Sequence, residues 1–381
     1  DTKIIKVVTG IRRSGKSTLL LQYMDYLKSE GVAADRIHFF NLESAKYSDI
    51  GNSKELYTLV SEELKGDGIH YVMIDEVQNV EHFEKAVNSL MVDYDIDLYV
   101  TGSNAYMLSS EIATLLSGRY VEIRVFPLSF KEYLSAQMGM SREDAFFQYM
   151  RFGGFPFLAT IADEDVVASY LDGIYNTIVL KDVVKRNAVR DITLLENVLR
   201  MALSSIGSPI SSSSIAKALK NEKRRVSNET IDKYLDMLVE AFILDKAVRY
   251  DIKGKEYLRT LGKYYVADMG LRNHILGYRQ IEPGQAVENI VFTELLRRGY
   301  RVDIGKTNDM EIDFVAKKQN AVEYFQIAYS VIDSTTLNRE LRPFALTGDK
   351  NHCHLITMDR DFVTDIDGVE KHYLIDWLCA E

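Results

Sequence analysis

Gly10-Ile11-Arg12-Arg13-Ser14-Gly15-Lys16-Ser17-Thr18 decides how the rest of the sequence is read. It fits G-x-x-x-x-G-K-[ST], the pattern of a phosphate-binding loop. Gly10 and Gly15 let the backbone curl so that successive N–H groups point inward at phosphate oxygens. Lys16 is a point charge exposed toward ligand that reaches the β- and γ-phosphates, and the Ser17 hydroxyl is placed to ligate Mg²⁺. Arg13, Ser14 and Thr18 complete the nucleotide-binding set. Before the loop, Ile4-Ile5-Lys6-Val7-Val8 reads as a short buried strand. After it, Leu19, Leu20, Tyr23, Met24 and Leu27 recur at helical spacing, so a helix N-terminus faces the phosphates.

The next apolar segments fit the same core. Arg36–Leu42 reads as a second strand, and Tyr71-Val72-Met73-Ile74-Asp75-Glu76 as a buried parallel strand delivering paired acids at its C-terminal end. This is the Walker B pattern: Asp75 orders Mg²⁺ through water and Glu76 polarises the water that attacks the γ-phosphate. An acid directly after the Walker B Asp, and a strand between the two motifs, separate hydrolases of this type from small-molecule kinases. Asp97–Asn104 reads as another buried strand ending in small polar residues.

With Leu116-Ser-Gly-Arg119 and Phe126-Pro-Leu-Ser-Phe-Lys-Glu-Tyr-Leu134, the set GIRRSGKST, YVMIDE, VTGSN, LSGR and FPLSFKEYL resembles a large group of bacterial and archaeal AAA-type ATP-binding proteins whose C-terminal half has no assigned function. The resemblance covers nearly the whole chain and implies ATP binding with hydrolysis. It also implies a sensor residue on the Asp97–Asn104 strand, Asn104 or Ser103, and a role for Arg119 as an arginine finger; a surface arginine at a helix end is the alternative.

Composition bounds the rest. The 381 residues suit two to four domains, and 46% hydrophobic with 27% charged residues is ordinary globular usage. The net charge of -10 argues against a protein that coats nucleic acid, while leaving room for a local basic patch. Cys353 and Cys379 are too few for a disulfide framework or a Cys-rich zinc site. No apolar run approaches membrane-span length, so the expectation is a cytoplasmic protein without a membrane partner.

The expected fold is α/β: a P-loop core of the AAA/ASCE type with a parallel sheet (1–135), a helical lid (136–190), a winged helix (191–275) and a restriction-endonuclease-like, PD-(D/E)xK-type domain (276–381). Within the lid, Arg151-Phe-Gly-Gly-Phe-Pro156 reads as an elbow between helices. In the winged-helix segment, 217–263 holds 12 Lys and Arg against 8 Asp and Glu, and Lys223-Arg224-Arg225 precedes the third helix. DNA is therefore one expected partner, with Lys253 and Lys255 on the wing gripping phosphates. The same helix exposes Glu229, Asp232, Asp236 and Glu240, which favours a protein partner instead. A homo-oligomer is compatible with either.

In the last segment a helix over 287–298 is followed by strands over 300–304, 310–316 and 321–330, a further helix and a final strand, His354–Met358. Glu288 and Glu311-Ile-Asp313 stand where a nuclease of that type keeps its metal-binding acids. The (E/Q)-x-K tripeptide, however, is Gln326-Ile327-Ala328. Without the lysine the segment is expected to be an inactive relative of a nuclease, with Asp313 as its surviving candidate metal ligand.

Overall fold

A computed structural model describes residues 4–103, 116, 118–161, 163–221, 226–278, 282–307, 310–348 and 351–380. The chain divides into two compact units, 1–126 with 240–242, and 127–239 with 243–381.

The first unit is built on five parallel strands, β1 (Ile5–Thr9), β2 (Ile37–Asn41), β3 (His70–Asp75), β4 (Ile96–Thr101) and β5 (Tyr120–Arg124). They lie in the order β2-β3-β4-β1-β5, so β4 is inserted between the strand that feeds the phosphate loop and the strand that ends in Asp75. Helices α1 (Lys16–Ser29), α2 (Ser53–Glu63) and α3 (Phe83–Asp93) supply the crossovers that parallel pairing requires. Burial explains the apolar runs: Val72, Met73 and Ile74 of β3 are wholly enclosed, with side chains to both faces. Asn52 starts α2 through a capping box with Glu55.

In the second unit, α4 (Phe130–Ser135), α5 (Arg142–Phe152), α6 (Glu164–Asn176) and α7 (Ile192–Ser204) come first. Ser129, Ser141, Asp163 and Asp191 cap them, each side chain accepting a bond from a first-turn N–H. Then α8 (Ser212–Asn221), α9 (Asn228–Glu240) and the hairpin β6 (Leu244–Asp251) and β7 (Glu256–Val266) follow in the order expected. The hairpin is not self-contained. β6 pairs in parallel with β8 (Arg301–Thr307), making one eight-stranded sheet in the order β12-β13-β11-β10-β9-β8-β6-β7. The other strands are β9 (Met310–Lys318), β10 (Ala321–Ile327), β11 (His352–Thr357), β12 (Asp365–Ile366) and β13 (Val369–Tyr373).

Two expectations are therefore corrected. The boundary at 275/276 runs through a continuous sheet, and 136–190 and 191–275 do not stand as separate units. The chain also does not finish its sheet at Met358: β13 pairs in parallel with β11, and a short helix, Leu374–Cys379, follows. Val369-Glu-Lys-His-Tyr373 escapes a reading by apolar alternation because its inward position between Val369 and Tyr373 is a buried charge, Lys371.

The Gly153-Gly154 elbow is a packing device. Helix α10 (Met269–Leu276) is capped by Asp268, whose carboxylate accepts from Leu271 N–H at 3.0 Å and Gly154 N–H at 2.6 Å. Burial pushes the Asp268 carboxyl up to about 6, against these backbone donors. A Cβ on Gly153 would stand 2.1 Å from Asp268 Oδ1, at a φ of +82°. Gly153→Ala is expected to destabilise this unit by roughly 3 kcal/mol or more in denaturant titration, through overlap in a filled site. Gly139→Ala, at a φ of +80° but with no heavy atom within 4 Å, should cost only about 1 kcal/mol.

Candidate nucleotide site

The site lies at the C-terminal edge of the parallel sheet, where the loops after β1, β3 and β4 converge. The loop after β1 needs its first glycine: Gly10 has φ +141°, and a Cβ there would lie 2.1 Å from the Val125 carbonyl oxygen. Gly15 has φ +105° and forms the N-cap of α1. Arg13 also takes a positive φ, 68°, and its side chain is exposed. Ser17 is half-buried and Thr18 exposed in the first turn of α1.

Lys16 is not exposed as its sequence position suggests. It is 4% exposed, and its ammonium donates to the Gly10 and Ile11 carbonyls at 3.0 and 3.2 Å. The charge is folded onto the loop that would carry phosphate. Ser14 Oγ is buried and has no hydrogen-bond partner among the described residues. A buried orphan hydroxyl, a captive ammonium and a helix N-terminus together suit a polyanion.

Asp75 and Glu76 are tied together by a residue that sequence reading missed. The Thr101 hydroxyl, at the end of β4, donates to Asp75 Oδ1 at 2.5 Å and accepts from Glu76 N–H at 2.9 Å. Glu76 takes a left-handed backbone, φ 56° and ψ 45°, which is uncommon for a residue with a Cβ. Its carboxylate accepts from the Gln78 side-chain amide. Burial pushes the Glu76 carboxyl up, while Lys16 and Arg12 pull it back down. Arg12, also missed, forms an ion pair with Glu43 at 3.4 Å. In the sequence Thr101 looks like a good strand former, and nothing local marks it as a bridge.

Ser103 is buried directly after β4, while Asn104 lies outside the described residues, as do Lys223, Arg224 and Arg225. Arg119 is exposed and precedes β5. Its carbonyl accepts from Ile5 N–H at 2.9 Å, at the N-terminal edge of the sheet, whereas the nucleotide loop leaves the opposite edge. The structure thus gathers Gly10, Ser14, Gly15, Lys16, Ser17, Asp75 and Glu76 and leaves Arg119 apart.

Comparison with known proteins agrees with this geometry. A model described as an AAA domain matches residues 2–134, and one described as a domain of unknown function (DUF8612) matches 143–282. An uncharacterised protein of Haemophilus influenzae is 43% identical over 99% of this chain and 95% of its own length. The chain belongs to a family of AAA-type P-loop proteins shared by bacteria and archaea. An uncharacterised protein of Methanocaldococcus jannaschii is 29% identical over 98% of this chain and 86% of its own. Among solved structures, the Walker-type ATPase of Pyrococcus abyssi shares the fold, with a TM-score of 0.52 at 14% identity, covering 72% of this chain and 91% of that one. No helix among the described residues of this family member is long and apolar enough to cross a membrane.

The nuclease-like acids have a different fate. Glu288 is on helix α11 (Pro283–Arg297), and Glu311 and Asp313 are on β9. Lys263 of β7, 3% exposed, places its ammonium 3.2 Å from Glu288 Oε1 and 2.8 Å from Glu311 Oε1. Tyr265 donates to the same Glu288 oxygen at 2.7 Å. Asp313 Oδ2 accepts from Ile327 N–H at 2.8 Å, and burial with the neighbouring Glu288 charge pushes its carboxyl well above the usual range. Gln326 spans Asp313 N–H and Glu340, at 3.2 and 2.8 Å.

Proposed function

We propose that this protein binds MgATP at the Gly10–Thr18 loop, hydrolyses it, and uses the cycle as a switch on its C-terminal half. The observation that carries the reading is the Thr101 bridge, which sets Asp75 and Glu76 side by side at the strand ends facing the loop. Ser17 and Asp75 would hold Mg²⁺. The unpartnered Ser14 hydroxyl and the Lys16 ammonium held on the loop would suit a phosphate group with its cation. Bound there, the ion would neutralise charge on the β- and γ-phosphate oxygens. Lys16 swings from the two loop carbonyls to the phosphates, Glu76 orients the attacking water, and Asn104 or Ser103 contacts the γ-phosphate. Lys16→Ala should weaken ATP affinity by about a hundredfold with folding intact, measured calorimetrically. Unchanged affinity would remove the loop from the nucleotide site.

For the second half, we propose contact with DNA through Lys253 and Lys255, exposed at the tip of the β6–β7 hairpin, together with Lys223, Arg224 and Arg225. With about 3 to 5 phosphates contacted, log K against log salt should fall with a slope of about -3 to -4, losing about one unit per lysine removed. The second reading, a protein partner, is favoured by the exposed face of α9. There Glu229, Asp232, Asp236 and Glu240 outnumber Lys233. Absence of duplex and single-strand binding at low salt would decide for the protein partner. Nuclease activity is not part of the proposal, because Lys263 already supplies the acids with a cation and Ala328 stands where the catalytic lysine would be.

A further inference from the structure

At the far side of the eight-stranded sheet, two histidines and a glutamate converge. His354 on β11 stands opposite Glu370 on β13 in parallel register, and His372 lies two residues further along β13, on the same face. His354 Nδ1 is 3.1 Å from His372 Nε2 and 3.6 Å from Glu370 Oε2, and His372 Nε2 is 3.7 Å from that oxygen. We propose that these three atoms form a binding site for one divalent first-row transition ion, Zn²⁺ foremost.

The distances match metal ligation better than a chain of hydrogen bonds. Three atoms at these separations share a central point about 2 Å from each, the ordinary length of a zinc bond to imidazole nitrogen or carboxylate oxygen. The outer contacts are those that prepare a histidine for metal. His354 Nε2 lies 3.2 Å from Glu323 Oε2, an ion-pair distance without hydrogen-bond alignment, and the carboxylate beside it favours a proton on Nε2 and the lone pair on Nδ1. Glu323 is itself held, its Oε1 accepting from the Tyr300 hydroxyl at 3.0 Å. Phe325 stacks on the His354 ring, with centroids 4.6 Å apart and planes at 18°, and fixes its orientation.

The Glu370 side chain is 48% exposed, so a fourth position opens to solvent and the ion can enter. Two imidazoles select a borderline ion over Mg²⁺, which prefers oxygen donors and keeps its waters. The site is thereby chemically separate from the phosphate loop. It would clamp β13 to β11 through side chains as well as the backbone ladder.

The test uses the full chain, stripped with chelator, desalted, and titrated with ZnCl₂ in excess Mg²⁺ and without nucleotide. Elemental analysis after a second desalting should show one zinc retained per chain, with the thermal transition raised by Zn²⁺ and restored by chelator. His372→Ala should abolish retention, and Glu323→Gln should weaken it by about 10- to 100-fold. His274→Ala, remote in sequence and on α10, should leave it unchanged. Should the histidine variant fail to fold, Glu370→Gln keeps the shape of a half-exposed side chain while removing its charge, and it must also lose zinc. No retained zinc in the parent chain, or retention in His372→Ala and Glu370→Gln equal to the parent's, overturns the site.

Discussion

Glu76→Gln is expected to bind ATP about as well as the parent protein while turning it over roughly two to four decades more slowly. The substitution is nearly isosteric, so the left-handed backbone at this position and the Glu76 N–H bond to Thr101 should survive. Asp75 keeps its bond from the Thr101 hydroxyl, and the proposed Mg²⁺ ligands are untouched. What is lost is a buried carboxylate whose proton affinity is raised by its surroundings and that is proposed to orient the attacking water. Fold stability should not fall, because burial opposes the charge that the substitution removes. Steady-state phosphate release and nucleotide affinity together check this. Near-parent turnover would place the base on another residue, whereas lost binding would mean that Glu76 shapes the nucleotide pocket.

The two units differ in how much of them can be read from the amino-acid order. The candidate nucleotide site is legible because its chemistry is local. A glycine that cannot bear a Cβ, a lysine and a hydroxyl must follow one another within nine positions, and paired acids must end a buried strand. The bridge through Thr101 is not legible, since a threonine at a strand end satisfies the strand's own preferences and its partner is 26 positions away. Lys263 is hidden for the same reason. It is one cation among 12 in a basic segment, and only the fold places it between Glu288 and Glu311.

The shared sheet is harder still. Parallel pairing of β6 with β8 joins residues about fifty positions apart, and no turn between them announces it. A hairpin that could serve as a free wing is instead joined to the sheet through β6, which leaves β7 as the sheet's edge strand and Lys253 and Lys255 exposed at the tip. The histidine cluster shows the limit of motif reading in a different way. His352-Cys-His354 and Glu370-Lys-His372 are alternations of the kind any exposed strand face carries, and their register across β11 and β13 makes them converge.

Arg119 carries the largest expected effect, and the fold restricts how it could act. β5 runs from Tyr120, opposite Ile5, to Arg124, opposite Thr9, where the nucleotide loop begins. Arg119 is therefore separated from the loop by about 16 Å of strand, further than its own side chain reaches. An arginine finger meets the charge that develops on the γ-phosphoryl oxygens and contributes roughly 10³–10⁵ in turnover. Exposed at the start of an edge strand, Arg119 can do so only for the nucleotide of a neighbouring copy. Activity per mole should then rise with protein concentration, and Arg119→Ala should lose most of it while binding ATP normally. Mixing Arg119→Ala with Lys16→Ala should restore part of the turnover, since one subunit brings an intact nucleotide site and the other an intact arginine. Turnover per mole that is flat on dilution, with a mixture as inactive as its parts, would exclude action in trans. With action in cis already barred by the strand between Arg119 and the loop, the arginine would then have no catalytic role, and the switch would work within a single chain.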